Sequence, residues 1–160
     1  MSFSKRTLEN LSGLNSKCKG IMVSFLLDAA PILEIESVTV EVLSGCRSWR
    51  QQAALYAQGR DKPGRIVTNA PPGSSWHNYG LAIDLGIFAG GRYLDETAPT
   101  RAARIYRKLA AVAIKREIEW AGNWKSFQED CHFQWTGGRT LADLRSAMIT
   151  NGFDVEKLPV

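Results

Sequence analysis

The chain contains two histidines, and each lies near a carboxylate in the sequence. His77 comes shortly before Asp84, and His132 comes shortly after Glu129. Two imidazoles and one carboxylate oxygen make a three-ligand zinc site whose fourth position is open to water, which is the catalytic form of zinc coordination. A further carboxylate that stays near the metal without binding it can take the proton of that water. We therefore expect the two histidine-bearing stretches to meet in space as a zinc hydrolase site.

Length and composition limit the class of protein. The chain has 160 residues, of which 44% are hydrophobic and 22% charged, and these values predict one soluble globular domain over residues 1–160. The net charge of +4 suits an anionic partner such as nucleic acid, a membrane surface or bacterial wall polymer. The same charge is equally explained by solubility alone.

Cysteine usage and hydropathy predict a compartment. The three cysteines are odd in number and widely spaced, so we expect reduced thiols and synthesis in a reducing compartment. The apolar run from Ile21 to Leu33 begins too far from the N-terminus for a secretion signal, contains Asp28 and is too short to span a bilayer. We expect neither a signal peptide nor stable membrane insertion.

Hydrophobic periodicity predicts an α+β fold in which helices flank a small antiparallel sheet that carries the zinc site. Predicted helices lie within 8–26 with a break near Gly13 or Gly20, from Ser48 to Gly59, from Thr97 or Thr100 through Ile118, and from Leu141 to Ile149. Predicted strands lie at 38–42, 79–88 and 131–135, with a turn at Gly90-Gly91 after the second.

Strand geometry predicts how the ligands meet. Alternate side chains of a strand share a face, so Ala82 lies beside Asp84, and His132 lies beside Gln134. If the two strands pair antiparallel, His132 and Asp84 can be cross-strand neighbours about 5 Å apart at Cβ. An ionised Asp84 among apolar neighbours is costly unless it is paired or metal-bound, and a salt bridge or turn contact is the alternative.

Basic residues offer two further interpretations. Arg47 stands at a strand-to-helix junction, where a guanidinium can hold a substrate carboxylate or carbonyl, although a surface arginine has the same pattern. The predicted helix through Ile118 has a basic face, which suits either an anionic polymer or solvent. That face comprises Arg101, Arg104, Arg107, Lys108, Lys115 and Arg116.

The motifs together resemble those of the LAS metallopeptidases, whose name joins lysostaphin, D-Ala-D-Ala metallopeptidases and sonic hedgehog. The pattern Ser-x-His-x-x-Gly-x-Ala-x-Asp, formed by Ser75, His77, Gly80, Ala82 and Asp84, is similar to their zinc motif. An acid three residues before a histidine, here Glu129 and His132, is similar to the second motif of the D-Ala-D-Ala branch. The segment from Ser44 to Arg60, which contains Arg47, resembles the arginine-bearing segment of the same branch.

The resemblance implies a hedgehog/D-Ala-D-Ala peptidase-like fold and a role for each residue. His77, Asp84 and His132 would bind one zinc ion per chain, Glu129 would be the general base and later the proton donor, and Arg47 would polarise the substrate carbonyl or hold a nearby carboxylate. Cys131 stands where the branch has proline, next to a ligand, but neighbouring strand residues face opposite ways, which disfavours it as a fourth ligand. Candidates for supporting the ligands or contacting substrate are Ser75, Gln52, Tyr79 and Trp135. Trp76 and Phe133 are further candidates for lining a substrate groove. For each of these aromatic residues, packing in the core is the alternative.

Within the branch, the closest likeness is to phage endolysins of the L-alanyl-D-glutamate peptidase type, on the stretches His-Asn-Tyr-Gly at 77–80 and Leu-Tyr-Ala-Gln-Gly-Arg at 55–60. This likeness implies a monomer without a separate wall-binding domain that cleaves bacterial peptidoglycan for host lysis. It would be made in the host cytoplasm and would reach the periplasm and wall through a holin-like partner. The alternatives are a D-alanyl-D-alanine carboxypeptidase or dipeptidase, a non-catalytic zinc-binding module and a nucleic-acid-binding protein.

Overall fold

The computed structural model describes residues 2–160, which form a five-stranded antiparallel sheet and seven α-helices. The strands are β1 (Thr39–Ser44), β2 (Ala82–Ala89), β3 (Arg92–Tyr93), β4 (Ile118–Trp120) and β5 (His132–Trp135). The helices are α1 (Lys5–Ser12), α2 (Ser16–Asp28), α3 (Ala30–Ile35), α4 (Trp49–Ala57), α5 (Leu94–Thr97), α6 (Pro99–Ala113) and α7 (Leu141–Thr150). The predicted α+β class with an antiparallel sheet is confirmed.

Strand β2 lies in the middle of the sheet and separates the core from the site. The spatial order is β1-β2-β5-β4, and β3 continues from β2 through the predicted Gly90-Gly91 turn. Ile83 and Leu85 of β2 are fully buried in the core, where Phe25 of α2 contacts Phe133 of β5 with ring centroids 5.3 Å apart. Because side chains alternate along a strand, Asp84 lies on the opposite face from these apolar residues.

The pairing of β2 with β5 confirms the predicted cross-strand geometry. Asp84 lies opposite His132, and Ile83 lies opposite Phe133. On the other side of β2, Ser44 lies opposite Asp84 after an irregularity in the β1 register between Val42 and Ser44. The end of β1, the middle of β2 and the start of β5 therefore meet at one line across the sheet.

The N-terminal helices differ in part from the periodicity prediction. The break falls near Gly13, where Asn15 caps α2 by accepting hydrogen bonds from the amides of Lys17 and Cys18. Gly20 lies inside α2 instead. Pro31 lies in the first turn of a third helix, Ala30–Ile35, where proline is tolerated because the backbone N–H that it lacks would have no partner within the helix.

Two predicted boundaries near the site are wrong. The strand predicted from Tyr79 begins at Ala82, because residues Trp76–Tyr79 form a 3-10 helix. The helix predicted through Ile118 ends at Ala113, and Ile118 instead starts β4, where its buried side chain faces β5. A 3-10 turn and the left-handed backbone of Glu117, at φ 58°, redirect the chain between the two elements. Neither predicted threonine caps α6, which begins after Ala98 with Pro99 in its first turn.

Much of the basic face of α6 is engaged within the molecule. The buried carboxylate of Glu36 accepts hydrogen bonds from Arg104 at 2.8 and 3.0 Å and from Lys108 at 2.6 Å, while Arg101 donates to the Glu36 carbonyl at 2.5 Å. Arg116 pairs with Asp28 at 2.6 Å. These contacts join α6 to the α2–α3 region, which favours a structural role for the basic residues over a nucleic-acid surface.

The Glu36 ion pairs should make folding stability depend on pH. The hydrogen bond from Lys108, opposed by burial and reinforced by Arg104, holds the pKa of Glu36 below its ordinary value. A lowered folded-state pKa stabilises the fold at neutral pH, and this stabilisation is lost as the pH falls through that pKa. We expect Glu36→Gln to lower the melting temperature at pH 7, with the difference from wild type shrinking below about pH 4.

The exposed Glu34 provides the control, since Glu34→Gln removes the same charge from the last turn of α3, two residues before Glu36. Thermal unfolding of the three proteins from pH 3 to 8 measures the effect. Equal melting temperatures for Glu36→Gln and Glu34→Gln at pH 7 would contradict the assignment.

Candidate metal centre

His77 reaches the site on the 3-10 helix Trp76–Tyr79, which ends at Gly80. Gly80 has a φ of +65°, and a Cβ on it would lie 2.7 Å from the backbone nitrogen of Asn15. Its amide closes the turn by donating to His77 O, and its carbonyl joins the turn to the start of α2 by accepting from Asn15 N. The glycine of the Ser-x-His-x-x-Gly-x-Ala-x-Asp pattern therefore meets two demands, a left-handed backbone and contact with the N-terminus of α2.

Three side-chain atoms from distant parts of the chain converge at the sheet. His77 Nε2 lies 3.2 Å from Asp84 Oδ1 and 3.2 Å from His132 Nδ1, and His132 Nδ1 lies 3.1 Å from Asp84 Oδ1. In a tetrahedral zinc site with bonds of 2.0–2.1 Å, neighbouring ligand atoms lie about 3.3 Å apart. The triangle formed by these atoms fits such a site, and the three residues form a group that can hold a metal ion.

The remaining nitrogen of each imidazole has a partner on the protein. His77 Nδ1 lies 2.7 Å from the carbonyl oxygen of Gly45, and His132 Nε2 lies 3.0 Å from Gln134 Oε1. Because a carbonyl only accepts, His77 carries its proton on Nδ1 and leaves the lone pair of Nε2 toward Asp84. Such outer contacts orient metal-binding imidazoles.

Burial and charge oppose each other at Asp84 and His132. Burial alone raises the pKa of Asp84, but His77 and His132 outweigh it, so the net pKa is well below its ordinary value. At His132 burial disfavours the cation, but the hydrogen bond with Asp84 raises the pKa above its ordinary value. A metal ion competes with that proton, so metal binding should strengthen as the pH rises.

Arg47, which follows β1, lies beside the same carboxylate. Its guanidinium donates to Ser44 Oγ and Gln52 Oε1, both at 2.9 Å, and lies 3.5 Å from Asp84 Oδ2. Gln52 is fully buried, and its amide nitrogen donates to the carbonyl of Ala70 at 2.8 Å. Gln52 thus connects Arg47 to the loop after α4.

A cavity of about 610 Å³ opens above the three converging atoms. Arg47, Glu129 and Ser75 all face it, and burial, reinforced by Asp84 and opposed by His132, raises the pKa of Glu129 above its ordinary value. Ser75 makes no side-chain cap to the 3-10 helix that follows it. Much of the wall is apolar, with Val67, Trp124 and Phe127 from irregular segments, Trp76 from the 3-10 helix and Leu141 from the start of α7 among the lining residues.

Three aromatic candidates lie in the core instead of the cavity wall. Tyr79 and Phe133 are completely buried, and Trp135 is 5% exposed. The Tyr79 hydroxyl donates to the carbonyl of Gly73 at 2.8 Å, so Tyr79 braces the preceding loop. Of the two interpretations considered for these aromatic residues, the structure shows core packing, because all three belong to the buried core and none lines the cavity.

The three cysteines lie apart from one another and from the converging metal-facing atoms. Cys18, Cys46 and Cys131 are free thiols, and Cys131 lies outside the group that can share a metal ion. Burial raises the pKa of the Cys131 thiol, which disfavours the thiolate that zinc would bind.

Two residues that contact the histidines of the site were not predicted from the sequence. Trp124 lies over His132 with ring centroids 5.5 Å apart, and its place in an aromatic loop was the available signal. Gly45 contributes only a backbone carbonyl, for which side-chain patterns carry no signal. Its lack of a side chain is required, because a Cβ would lie 2.1 Å from the carbonyl oxygen of Asn10.

Comparison with known proteins places this geometry. Residues 68–135, which include His77, Asp84, Glu129 and His132, match the family model described as D-alanyl-D-alanine carboxypeptidase. The resemblance to the LAS-type metallopeptidases is confirmed. The peptidoglycan L-alanyl-D-glutamate endopeptidase CwlK of Bacillus subtilis strain 168 is 33% identical over 103 residues. That alignment covers 62% of this chain and 62% of CwlK, so less than two thirds of the relative is spanned.

Solved structures share the fold. The L-Ala D-Glu endopeptidase ChiX of Serratia marcescens superposes with a TM-score of 0.53 at 20% identity, over 85% of this chain and 90% of ChiX. The vancomycin resistance D,D-pentapeptidase VanY, solved in complex with Zn(II), gives 0.50 at 15% identity, over 89% of this chain and 82% of VanY. At such identities the likeness shows a common fold. Within residues 2–160, no helix has the length and apolar character needed to cross a membrane.

The close approach of Gly45 to Asn10 of α1 predicts that a larger residue at position 45 would disturb the site. We expect Gly45→Ala to destabilise the fold by about 1–3 kcal/mol, because the added methyl group overpacks against α1. It should also displace the carbonyl that orients His77 and so weaken metal binding. Denaturant unfolding and zinc titration measure the two effects.

Gly20→Ala is the matched control, because a Cβ there meets nothing within 4 Å and the residue lies inside α2. Alanine should stabilise a helix at such a position by about 0.5–1 kcal/mol. A Gly45→Ala protein as stable as Gly20→Ala would show that the contact with Asn10 relaxes freely.

Proposed function

We propose that the chain is a zinc-dependent peptidoglycan peptidase that hydrolyses the L-alanyl-D-glutamate bond of the stem peptide. The observation that supports it best is the triangle of His77, Asp84 and His132 atoms, with sides of 3.1–3.2 Å, on the wall of a cavity that also contains Glu129 and Arg47. The similarity to CwlK supports the proposed substrate class.

The proposed chemistry assigns one task to each side chain. One zinc ion at the three ligands would supply a water of lowered pKa and a Lewis acid for the scissile carbonyl. Glu129 would accept the proton of the attacking water and return it to the leaving amine, and its raised pKa suits that exchange near neutral pH. Arg47, held by Ser44 and Gln52, would donate a hydrogen bond to the developing oxyanion or to a nearby substrate carboxylate.

A second candidate activity is D-alanyl-D-alanine carboxypeptidase or dipeptidase. The family model that matches residues 68–135 carries that description. The same ligands, base and arginine would serve both reactions, because the difference lies in which peptide bond the cavity walls place over the metal.

Product analysis separates the two activities. We expect purified muropeptides digested with the zinc-loaded protein to gain a free N-terminus on D-Glu, measured by mass spectrometry. Loss of terminal D-Ala alone would instead identify the carboxypeptidase, and an unchanged digest would contradict both.

Variants test the assigned roles. We expect Glu129→Gln to keep zinc and fold while losing about 10²–10⁴-fold in turnover, because it removes only the proton acceptor. His132→Ala should lose zinc as well, because it removes a ligand. Turnover by Glu129→Gln within a few-fold of wild type would exclude Glu129 as the base.

We further propose that the protein acts as a monomeric endolysin in host lysis. It would be made in the host bacterial cytoplasm and reach the periplasm and wall through a holin-like partner. The free thiols suit synthesis in a reducing compartment, and the apolar-walled cavity suits a peptide substrate.

Expression in a bacterium tests the endolysin role. Cells that make the protein should stay intact until their inner membrane is permeabilised and should then lyse, whereas cells that make Glu129→Gln should not. Lysis that begins without permeabilisation, followed by culture turbidity, would contradict the need for a release partner.

A further inference from the structure

We propose that Gln134 is a positioning residue for metal binding. Its amide, oriented by Glu119, holds His132 in the tautomer that presents Nδ1 to the metal. The inference rests on the proposed function in so far as it takes His132 as a metal ligand.

The first contact fixes the direction of the amide. Gln134 and Glu119 are register partners on β5 and β4, and Gln134 Nε2 lies 2.8 Å from Glu119 Oε2. An ionised carboxylate can only accept hydrogen bonds, so the NH₂ group of Gln134 must face Glu119. The amide oxygen of Gln134 therefore faces the other way, toward the interior.

The second contact, between Gln134 and His132, fixes which nitrogen of the imidazole carries the proton. Gln134 Oε1 lies 3.0 Å from His132 Nε2, and both side chains are at most 5% exposed. An amide oxygen can only accept, so His132 must carry its proton on Nε2. The lone pair of the neutral ring is then on Nδ1, the atom that lies 3.1 Å from Asp84 Oδ1 and 3.2 Å from His77 Nε2.

Each histidine is thus held in one tautomer by a hydrogen-bond acceptor, but the two acceptors differ in kind. His77 donates to the backbone carbonyl of Gly45, which is an acceptor by its chemistry. His132 faces a side-chain amide, which could present either an acceptor or a donor. Glu119, which is exposed on the edge strand β4, fixes the amide's orientation because its carboxylate accepts from the NH₂ group of Gln134. Strand geometry makes the contact possible because His132 and Gln134 share one face of β5.

Zinc affinity of the metal-free protein, measured by competition with a chromogenic chelator, tests the inference without using catalysis. Gln134→Met keeps the length and volume of the side chain but removes the acceptor. We expect this variant to bind zinc about 10- to 100-fold more weakly than wild type. Affinity within two-fold of wild type would overturn the proposal.

A double variant distinguishes the acceptor from simple packing. Gln134→Glu combined with Glu119→Gln exchanges the two groups, so that His132 still faces an obligatory acceptor and the amide moves to the edge strand. We expect it to recover most of the affinity lost in Gln134→Met. A loss as large as that of Gln134→Met would show that the acceptor is not what matters and would overturn the proposal.

The control and the wild type separate this inference from the proposed function. Glu117→Gln removes an exposed carboxylate two residues from Glu119 and should bind zinc as wild type does. Weakening by Glu117→Gln equal to that of Gln134→Met would overturn the proposal, because zinc affinity would then respond to a change that touches neither Gln134 nor His132. If wild type binds zinc with the predicted pattern across the variants but cleaves no muropeptide, the positioning role stands and the proposed function fails.

Discussion

The site depends on the antiparallel pairing of β2 with β5 in one register, with Asp84 opposite His132. Side chains alternate between faces, so a slip of one residue would bring Phe133 to the site and send His132 into the core. The burial of Ile83 and Phe133 opposes that slip, because apolar area would be exposed and an imidazole buried among aliphatic groups. The core thus maintains the geometry of the site.

Placing three polar groups within 3.2 Å of one another carries an energetic cost that the surroundings offset. The second oxygen of Asp84 lies near Arg47, and the outer nitrogens of the histidines contact Gly45 and Gln134. Each buried polar atom therefore has a partner that also fixes its orientation, which is the arrangement expected of a preorganised metal site. The close approach of α1 to Gly45 extends this support to the N-terminal helices.

The fold fixes the metal-facing groups more firmly than parts of the cavity wall. The metal-facing groups lie on or next to strands, whereas Val67 and Phe127 belong to irregular segments on the walls. Related folds with different substrates are expected to differ most in such segments, because loops change without disturbing the core. Arg104 and Lys108 of α6 contact Glu36 and so join helices within the fold. These contacts leave less positive charge for an external partner.

By itself, the sequence predicted which residues could bind a metal. The chain has only two histidines, and alternation along two short strands, which is a local property, predicted that His132 could lie opposite Asp84 if the strands paired antiparallel, as they do. The end of α6 before Ile118, the burial of Tyr79 and the acceptors of the outer imidazole nitrogens were decided by tertiary structure. Each of these depends on which distant segment fills the neighbouring space, and spacing along the chain carries no record of that contact.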